Sequence, residues 1–287
     1  MTGRGGHRFR RLSAALLLAV AVTAAAAGGE PLRILHTSGG SRVKTLDPAQ
    51  ADDLSSRNLT GAIYDTLLQY DYLARPYRLI PSMLAEMPTG NATHDRYRFR
   101  LRDDLRFADD PVFAGLPESA RRITSDDVLY SILRIADARN HSPVYWLFRG
   151  KIKGLDAFHE ATAKAPRGDF SLYDAGIEGF RRIDDLHFEL HLTRPDPRFL
   201  YMLAMPNAAV VCRRAIERYG EEIARHPVGS GPFRLTEWIN DYKLQLDRNP
   251  DYRVEYFPQA ESPADRSRPL PLADRVILYL VKQPMSS

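Results

Sequence analysis

The sequence is poor in cysteine: Cys212 is the only one in 287 residues. No disulfide can form within the chain, and a cysteine-rich zinc site is excluded. Stability must come from a packed core, which a hydrophobic fraction of 44% can supply. An excess of charge is also missing. The formal net charge is +4, but Arg4, Arg8, Arg10 and Arg11 all lie before the first acid, so the rest of the chain is formally neutral. A basic nucleic-acid footprint is therefore not expected, nor is nucleic acid an expected partner. Long apolar runs are confined to the N-terminus. There "LSAALLLAVAVTAAAA" follows the four arginines and leads into small residues. Basic start, short apolar middle and small-residue end are the layout of a secretory signal. Cleavage near Ala27 is expected, making residues 1–27 a signal peptide and residues 30–287 one exported domain.

What is present is a regular alternation of elements. Leu32, Ile34 and Thr37 suit a first strand, broken by Gly39-Gly40, and Asp47-Pro48 ends the segment. "DDLSSRNLTGAIYDTLLQYD" has helical spacing through Leu59, Ile63, Leu67 and Tyr70, with Ser55 or Ser56 as cap. Pro81 and Pro88 are expected to bracket one or two helical turns. In "RYRFRLRDDLRF", Tyr97, Phe99 and Leu101 alternate with arginines, which predicts a strand with one buried and one basic face. Such a row suits a bound anion, but open antiparallel sheets have a wet side, and the solvated reading is preferred. "ITSDDVLYSILRIAD" predicts a helix capped by Thr124 or Ser125, with Asp126 and Asp127 at its positive end and an apolar stripe below. Tyr145 and Trp146 form an aromatic cluster, as a packed subdomain or as a wall facing a ligand. The segment 180–191 predicts a hairpin. His187, Glu189 and His191 share a face there, yet the two histidines stand roughly 13 Å apart on a strand, too far to share one metal ion at ~2 Å. No metal or other cofactor is expected. "AAVVC" suggests a short apolar strand, "DPRFLYMLAMP" a short helix stopped by Pro206, and 213–226 a helix interrupted at Gly220.

The stretch "HPVGSGPFRLTEW" resolves by spacing. It lacks the lysine of a phosphate loop and the spacers of a Gly-x-Ser-x-Gly nucleophile turn. What remains is a backbone corner: Gly229 and Gly231 allow conformations closed to other residues, and Pro227 and Pro232 stiffen its ends. The corner feeds a hairpin of "FRLTEWI" and "YKLQLDR" turning at Asn240-Asp241.

That corner, followed by "LDRNPDY", resembles the signature of the family 5 extracellular solute-binding proteins, the peptide-binding components of bacterial ABC importers. Ser230, Phe233 and Arg253 stand where the family shows threonine, tyrosine and tryptophan. Leu46-Asp47-Pro48, "YRLIPSMLAE", the arginine strand and the 124–135 helix match further motifs in order. The resemblance implies an α/β (mixed α+β) fold of the type II periplasmic binding protein class, comprising the first lobe with its inserted subdomain. On that resemblance the second lobe is expected to be largely missing, since the given sequence stops soon after the strand at 274–281, whose apolar run suits burial on both faces. It also implies a periplasmic, non-enzymatic protein that delivers peptides or similar solutes to an inner-membrane ABC permease, impaired in this short form. The implied ligand contacts are Thr37, Ser38, Gly39 and Gly40, with Tyr145 and Trp146. Asp47, Pro48, Gly229, Gly231, Pro232, Trp238, Asn249 and Pro250 are implied to be structural. The alternatives are a secreted hydrolase using Ser230, or a non-functional remnant of a binding protein.

Overall fold

The computed structural model describes residues 31–39, 42–71, 73–257 and 262–281. The expected signal peptide and Gly40 lie outside the described residues. Every described element after Pro31 falls in one contact unit, residues 32–287.

Three sheets organise the described residues. The first joins β1 (Ile34–Gly39), β10 (Arg275–Leu280), β9 (Lys243–Arg248) and β8 (Phe233–Ile239) in that order. β1 runs parallel to β10, while β9 is antiparallel to both neighbours. The second is the small pair β2 (Leu68–Tyr70) and β3 (Leu79–Pro81). The third is antiparallel, in the order β4 (Thr89–Gly90), β5 (Arg96–Arg100), β7 (His187–His191), β6 (Phe180–Arg182).

The alternation in β5 does what its pattern predicts. Tyr97 and Phe99 are buried and Arg96, Arg98 and Arg100 are exposed. Phe99 stacks on Phe188 with ring centroids 4.8 Å apart, and Phe180 stacks on Phe188 at 5.1 Å. This aromatic ladder is the inner face of the third sheet. Over it lies α2 (Ser125–Ala136), whose apolar stripe also meets α4 (Leu155–Thr162). α2 starts with a capping box: Asp127 accepts from the Thr124 backbone at 2.9 Å. Burial pushes the Asp127 carboxyl up to about 6, against its bonds from Thr124. An acid whose folded pKa lies above its unfolded value stabilises the fold below the lower value and loses that contribution as pH rises. Asp127→Asn keeps a capping oxygen but does not titrate. The stability difference between the chain and this variant should therefore move against the native chain from about pH 4 to about pH 6, and stay level above that. Urea midpoints across that range test it, and a flat difference refutes the raised value.

The remaining helices are short: α3 (Tyr145–Phe148), α5 (Ser171–Ala175), α6 (Phe199–Met202), α7 (Arg213–Tyr219) and α8 (Pro263–Arg266). Gly220 ends α7 at φ +55°, and a 3₁₀ stretch follows. The predicted hairpin of β8 and β9 is present, with Asp241 at φ +55° in its turn.

Four expectations need correction. α1 spans Leu54–Ile63 and is capped by Asp53, which accepts from the Ser56 N–H at 2.8 Å, so neither serine is the cap. The helix stops at Ile63 because Tyr64 turns extended, and Leu67 and Tyr70 belong to the next connection and strand. Between Pro81 and Pro88 there is no helical turn. The N–H groups of Ser82, Met83 and Ala85 go to Leu67, Thr66 and Arg100 carbonyls, which holds the segment extended. Of "AAVVC", Ala208 ends a 3₁₀ turn and Ala209–Cys212 are buried and extended without being a strand, since Val210 donates to the Asp65 carbonyl and Val211 to the Ser131 hydroxyl. β10 exists, but its six residues are all half-buried rather than enclosed. Its neighbour β1 is itself exposed along five of six residues.

Candidate functional site

The glycine corner packs on the end of α1. The Gly231 N–H donates to the Ile63 carbonyl at 2.8 Å, satisfying one of the orphan acceptors of the last helical turn. The Gly229 carbonyl accepts from the Ala108 N–H at 2.8 Å. Asn249, buried, closes the corner from outside: its Nδ2 donates to the Gly231 carbonyl and its N–H to the Pro232 carbonyl, both at 2.9 Å. Pro250 beside it is exposed. Trp238 is half-buried, with the Arg225 guanidinium 4.7 Å above its ring.

Ser230 is buried in this corner, and its hydroxyl donates to Asp65 Oδ2 at 3.1 Å. The nearest histidine in sequence, His226, is committed elsewhere, to Asp110 at 2.8 Å. A nucleophile needs a base within hydrogen-bond reach, and this serine has a carboxylate already engaged by Arg253 Nη1 at 2.6 Å. Burial raises the Asp65 pKa, and the Arg253 charge and the Ser230 bond pull it back. Arg253 also donates through Nε to Glu255 at 2.6 Å. Arg253 departs from the family pattern, and nothing local in the sequence marks Asp65 as its partner.

A cleft of about 810 Å³ opens elsewhere, lined by residues that include Asp47, Gln50, Arg134, Asn140, Tyr173 and Glu217. Asp47 caps the turn at Pro48, accepting from Ala49 N at 3.1 Å. Its two oxygens also take Arg134 Nη1 and Nη2 at 2.5 and 2.6 Å. Burial alone would lower the Arg134 pKa, but Asp47 holds it above its ordinary value. Asp137 accepts from Arg139 and from the Tyr173 hydroxyl. Burial would raise its pKa, and these bonds bring it below the usual carboxylate range. The charges of the floor are thus paired with one another, and the cleft offers polar groups without a free central charge. Gln50 Nε2 donates across it to the Asn140 carbonyl at 3.3 Å.

The chain runs on from the cleft wall at Pro143 to the aromatic pair. Ser142 bonds the Ala49 carbonyl at 2.6 Å, and α3 follows. Tyr145 packs inward: its hydroxyl donates to Asp156 at 2.6 Å and its ring stacks on His159 at 4.1 Å. Trp146 points the other way and is 70% exposed. Thr37, Ser38 and Gly39 lie at the end of β1, opposite Leu278, Tyr279 and Leu280 of β10. The other edge of β1 has no partner strand among the described residues. No hydrogen bond or ring contact joins β1 to Trp146 among the described residues, so the two groups of expected contacts remain separate. In β7, His187 bonds Asp184 at 2.9 Å and His191 bonds Glu189 at 3.2 Å, each histidine turned to a carboxylate of its own. Cys212 is buried, and burial pushes its thiol up to about 12.

The sequence model of bacterial extracellular solute-binding proteins, family 5, matches residues 79–286. The periplasmic oligopeptide-binding protein OppA of Salmonella typhimurium is 26% identical over 277 residues, covering 90% of this chain and 46% of that protein. The probable ABC transporter periplasmic-binding protein SapA of Escherichia coli is 29% identical over 220 residues, covering 74% of this chain and 36% of that one. Among solved structures, the pheromone receptor PrgZ superposes with a TM-score of 0.67 at 21% identity, over 88% of this chain and 44% of its own. Listeria monocytogenes OppA bound to peptide gives 0.67 at 18%, over 87% and 43%. The chain thus spans less than half the length of the relatives it matches. The fold is that of the type II periplasmic binding proteins.

Proposed function

Because the chain belongs to the bacterial extracellular solute-binding proteins of family 5, we propose that it is the peptide-facing lobe of a non-catalytic binding component. In this reading it is exported to the periplasm by a leader ending near Ala27. It serves an ABC importer by handing peptides or similar solutes to the permease. The observation that carries the reading is the outer edge of β1, which has no partner strand among the described residues. An extended peptide can add there as a further strand, held by backbone hydrogen bonds. Thr37, Ser38, Gly39 and Gly40 supply those contacts; Trp146 with Tyr145, and the cleft lined by Gln50 and Asn140, are separate surfaces offered to other parts of a solute. The buried, carboxylate-bound Ser230 disfavours the hydrolase reading.

One lobe buries one side of a ligand, and ligand sites normally cover 70–90% of the ligand surface. The 287-residue chain should therefore bind tri- to pentapeptides with a Kd no tighter than about 100 μM. Titration followed by amide NMR should move the resonances of Thr37 to Gly39 first. Shifts confined to another face would sink the assignment of β1, and a micromolar calorimetric Kd would refute the half-site reading.

A further inference from the structure

The third sheet has an outward face that the binding role does not use. Along β5, Arg96, Arg98 and Arg100 point outward, spaced about 7 Å apart by the two-residue period of a strand. The strand register sets their neighbours: His191 beside Arg96, Glu189 beside Arg98, and His187 beside Arg100. On the far side of β7, Arg181 pairs with Glu189. Four arginines therefore share this face with one carboxylate, and two of them, Arg98 and Arg181, reach it. Glu189 is 7% exposed and sits beneath Arg98, Arg181 and His191 at 3.2–3.5 Å. Burial would raise its pKa, but His191, Arg181 and Arg98 hold it below the usual carboxylate range. The cationic heads above it stay open: the Arg98 and Arg181 side chains are 62% and 64% exposed. Arg96 and Arg100 are exposed and form no ion pair among the described residues. The acids at the border are already engaged, Asp95 with Asn91 and Thr93, Asp184 with His187, and Asp185 with Arg182. Since the chain beyond its N-terminal arginines is formally neutral, this is a local concentration of charge.

We propose that the outward face of the β4-β5-β7-β6 sheet docks on an anionic phospholipid bilayer, its arginines taking lipid phosphates. Arginine suits that task because its planar fork bonds phosphate oxygens in pairs. The face is less suited to a protein partner. Stable protein interfaces have an apolar or aromatic centre with hot-spot anchors. The outward positions of β5, β6 and β7 are Arg96, Arg98, Arg100, Arg181, His187, Glu189 and His191, with no apolar residue among them. Attraction of this kind is electrostatic, and salt screens it.

The test uses residues 28–287, which contain every described element, with sedimentation of vesicles of phosphatidylglycerol and phosphatidylcholine. The protein should partition onto them at low salt, be released by about 0.5 M NaCl, and ignore pure phosphatidylcholine. Each arginine contributes about fivefold near an anionic surface. Arg96→Gln/Arg98→Gln/Arg100→Gln should thus lower partitioning about a hundredfold without changing the circular dichroism spectrum. Arg122→Gln/Arg214→Gln/Arg218→Gln, with the same loss of charge elsewhere, should retain binding. Equal binding by the β5 variant, or equal loss in both variants, would overturn the assignment. So would capture by polyglutamate instead of vesicles, which would point to an acidic protein, or saturable heat with inorganic phosphate alone, which would point to a free anion.

Discussion

Gly229→Ala is expected to destroy most of the stability of the chain. A Cβ at that position falls 2.0 Å from the Ile63 carbonyl oxygen and 2.8 Å from its carbon. Both are backbone atoms of the last turn of α1, which is held by its own hydrogen bonds, so no side chain can swing aside. Either the corner lifts off the helix, losing the bond from Gly231 to Ile63 and the bond from Ala108, or α1 frays. The expected loss is about 4 kcal/mol or more, in the range reserved for defined steric and network failures. Gly231→Ala should behave alike, with contacts at 2.6 and 2.7 Å to the same carbonyl. Gly61, inside α1, makes the contrast: its added Cβ would meet only Pro206 at 4.0 Å. Gly61→Ala should stabilise by about 0.5–1 kcal/mol through helix propensity. Urea unfolding with a shared slope measures all three. A Gly229→Ala loss under 1 kcal/mol would show that the corner is not the architectural joint described above.

The glycine corner was legible as a corner because spacing excludes the other readings of such a motif, but the reason for its glycines was not: neither Gly229 nor Gly231 has a positive φ, and each is required because a Cβ would run into the Ile63 carbonyl. β5 and α2 were legible for a related reason: each repeats its pattern over a full element, and the period selects strand or helix. Where the sequence misled, the missing information was the destination of backbone N–H groups. Ala209 to Cys212 are apolar and extended, as a strand would be, yet their donors meet a loop carbonyl and a serine hydroxyl. Pro81 to Pro88 has the length of a helical turn, but pairing with Thr66, Leu67 and β5 takes its donors first. The cleft was invisible for a topological reason, since its walls come from segments around Asp47, Arg134, Arg167 and Glu217. Likewise Arg134, within the helical stripe of α2, gives no local sign that Asp47, 87 residues earlier, is its partner. The face charge of the third sheet was half visible. The arginine row of β5 could be read directly, but its completion by Arg181 and the isolation of Glu189 needed the register across β7.

Arg253→Leu is the second substitution with a large expected effect. The Arg253 side chain is 2% exposed, the Asp65 side chain 8%, and they meet at 2.6 Å across 188 residues of sequence. Removing the arginine leaves a buried carboxylate with only the Ser230 hydroxyl as donor. Breaking one member of a buried pair typically costs about 3–5 kcal/mol, more than the pair contributes over an uncharged replacement of both. Asp65→Asn/Arg253→Leu should therefore recover much of the loss, with a coupling of about 1.5 kcal/mol or more. The pH dependence gives an independent sign. Without its counter-ion, Asp65 keeps a pKa raised by burial, so the folded variant binds a proton that the unfolded chain releases. Its stability should then rise as pH falls from 7 toward 4, opposite to the acid destabilisation expected where paired carboxylates dominate. The double variant should lack that rise. The pair also fixes the geometry of the corner, because Asp65 holds Ser230 while Arg253 reaches Ser82 at 3.4 Å on the connection out of β3. Where the family pattern has a tryptophan, this chain joins three segments by charge, and a single variant that unfolds no more readily than the double one would refute that account.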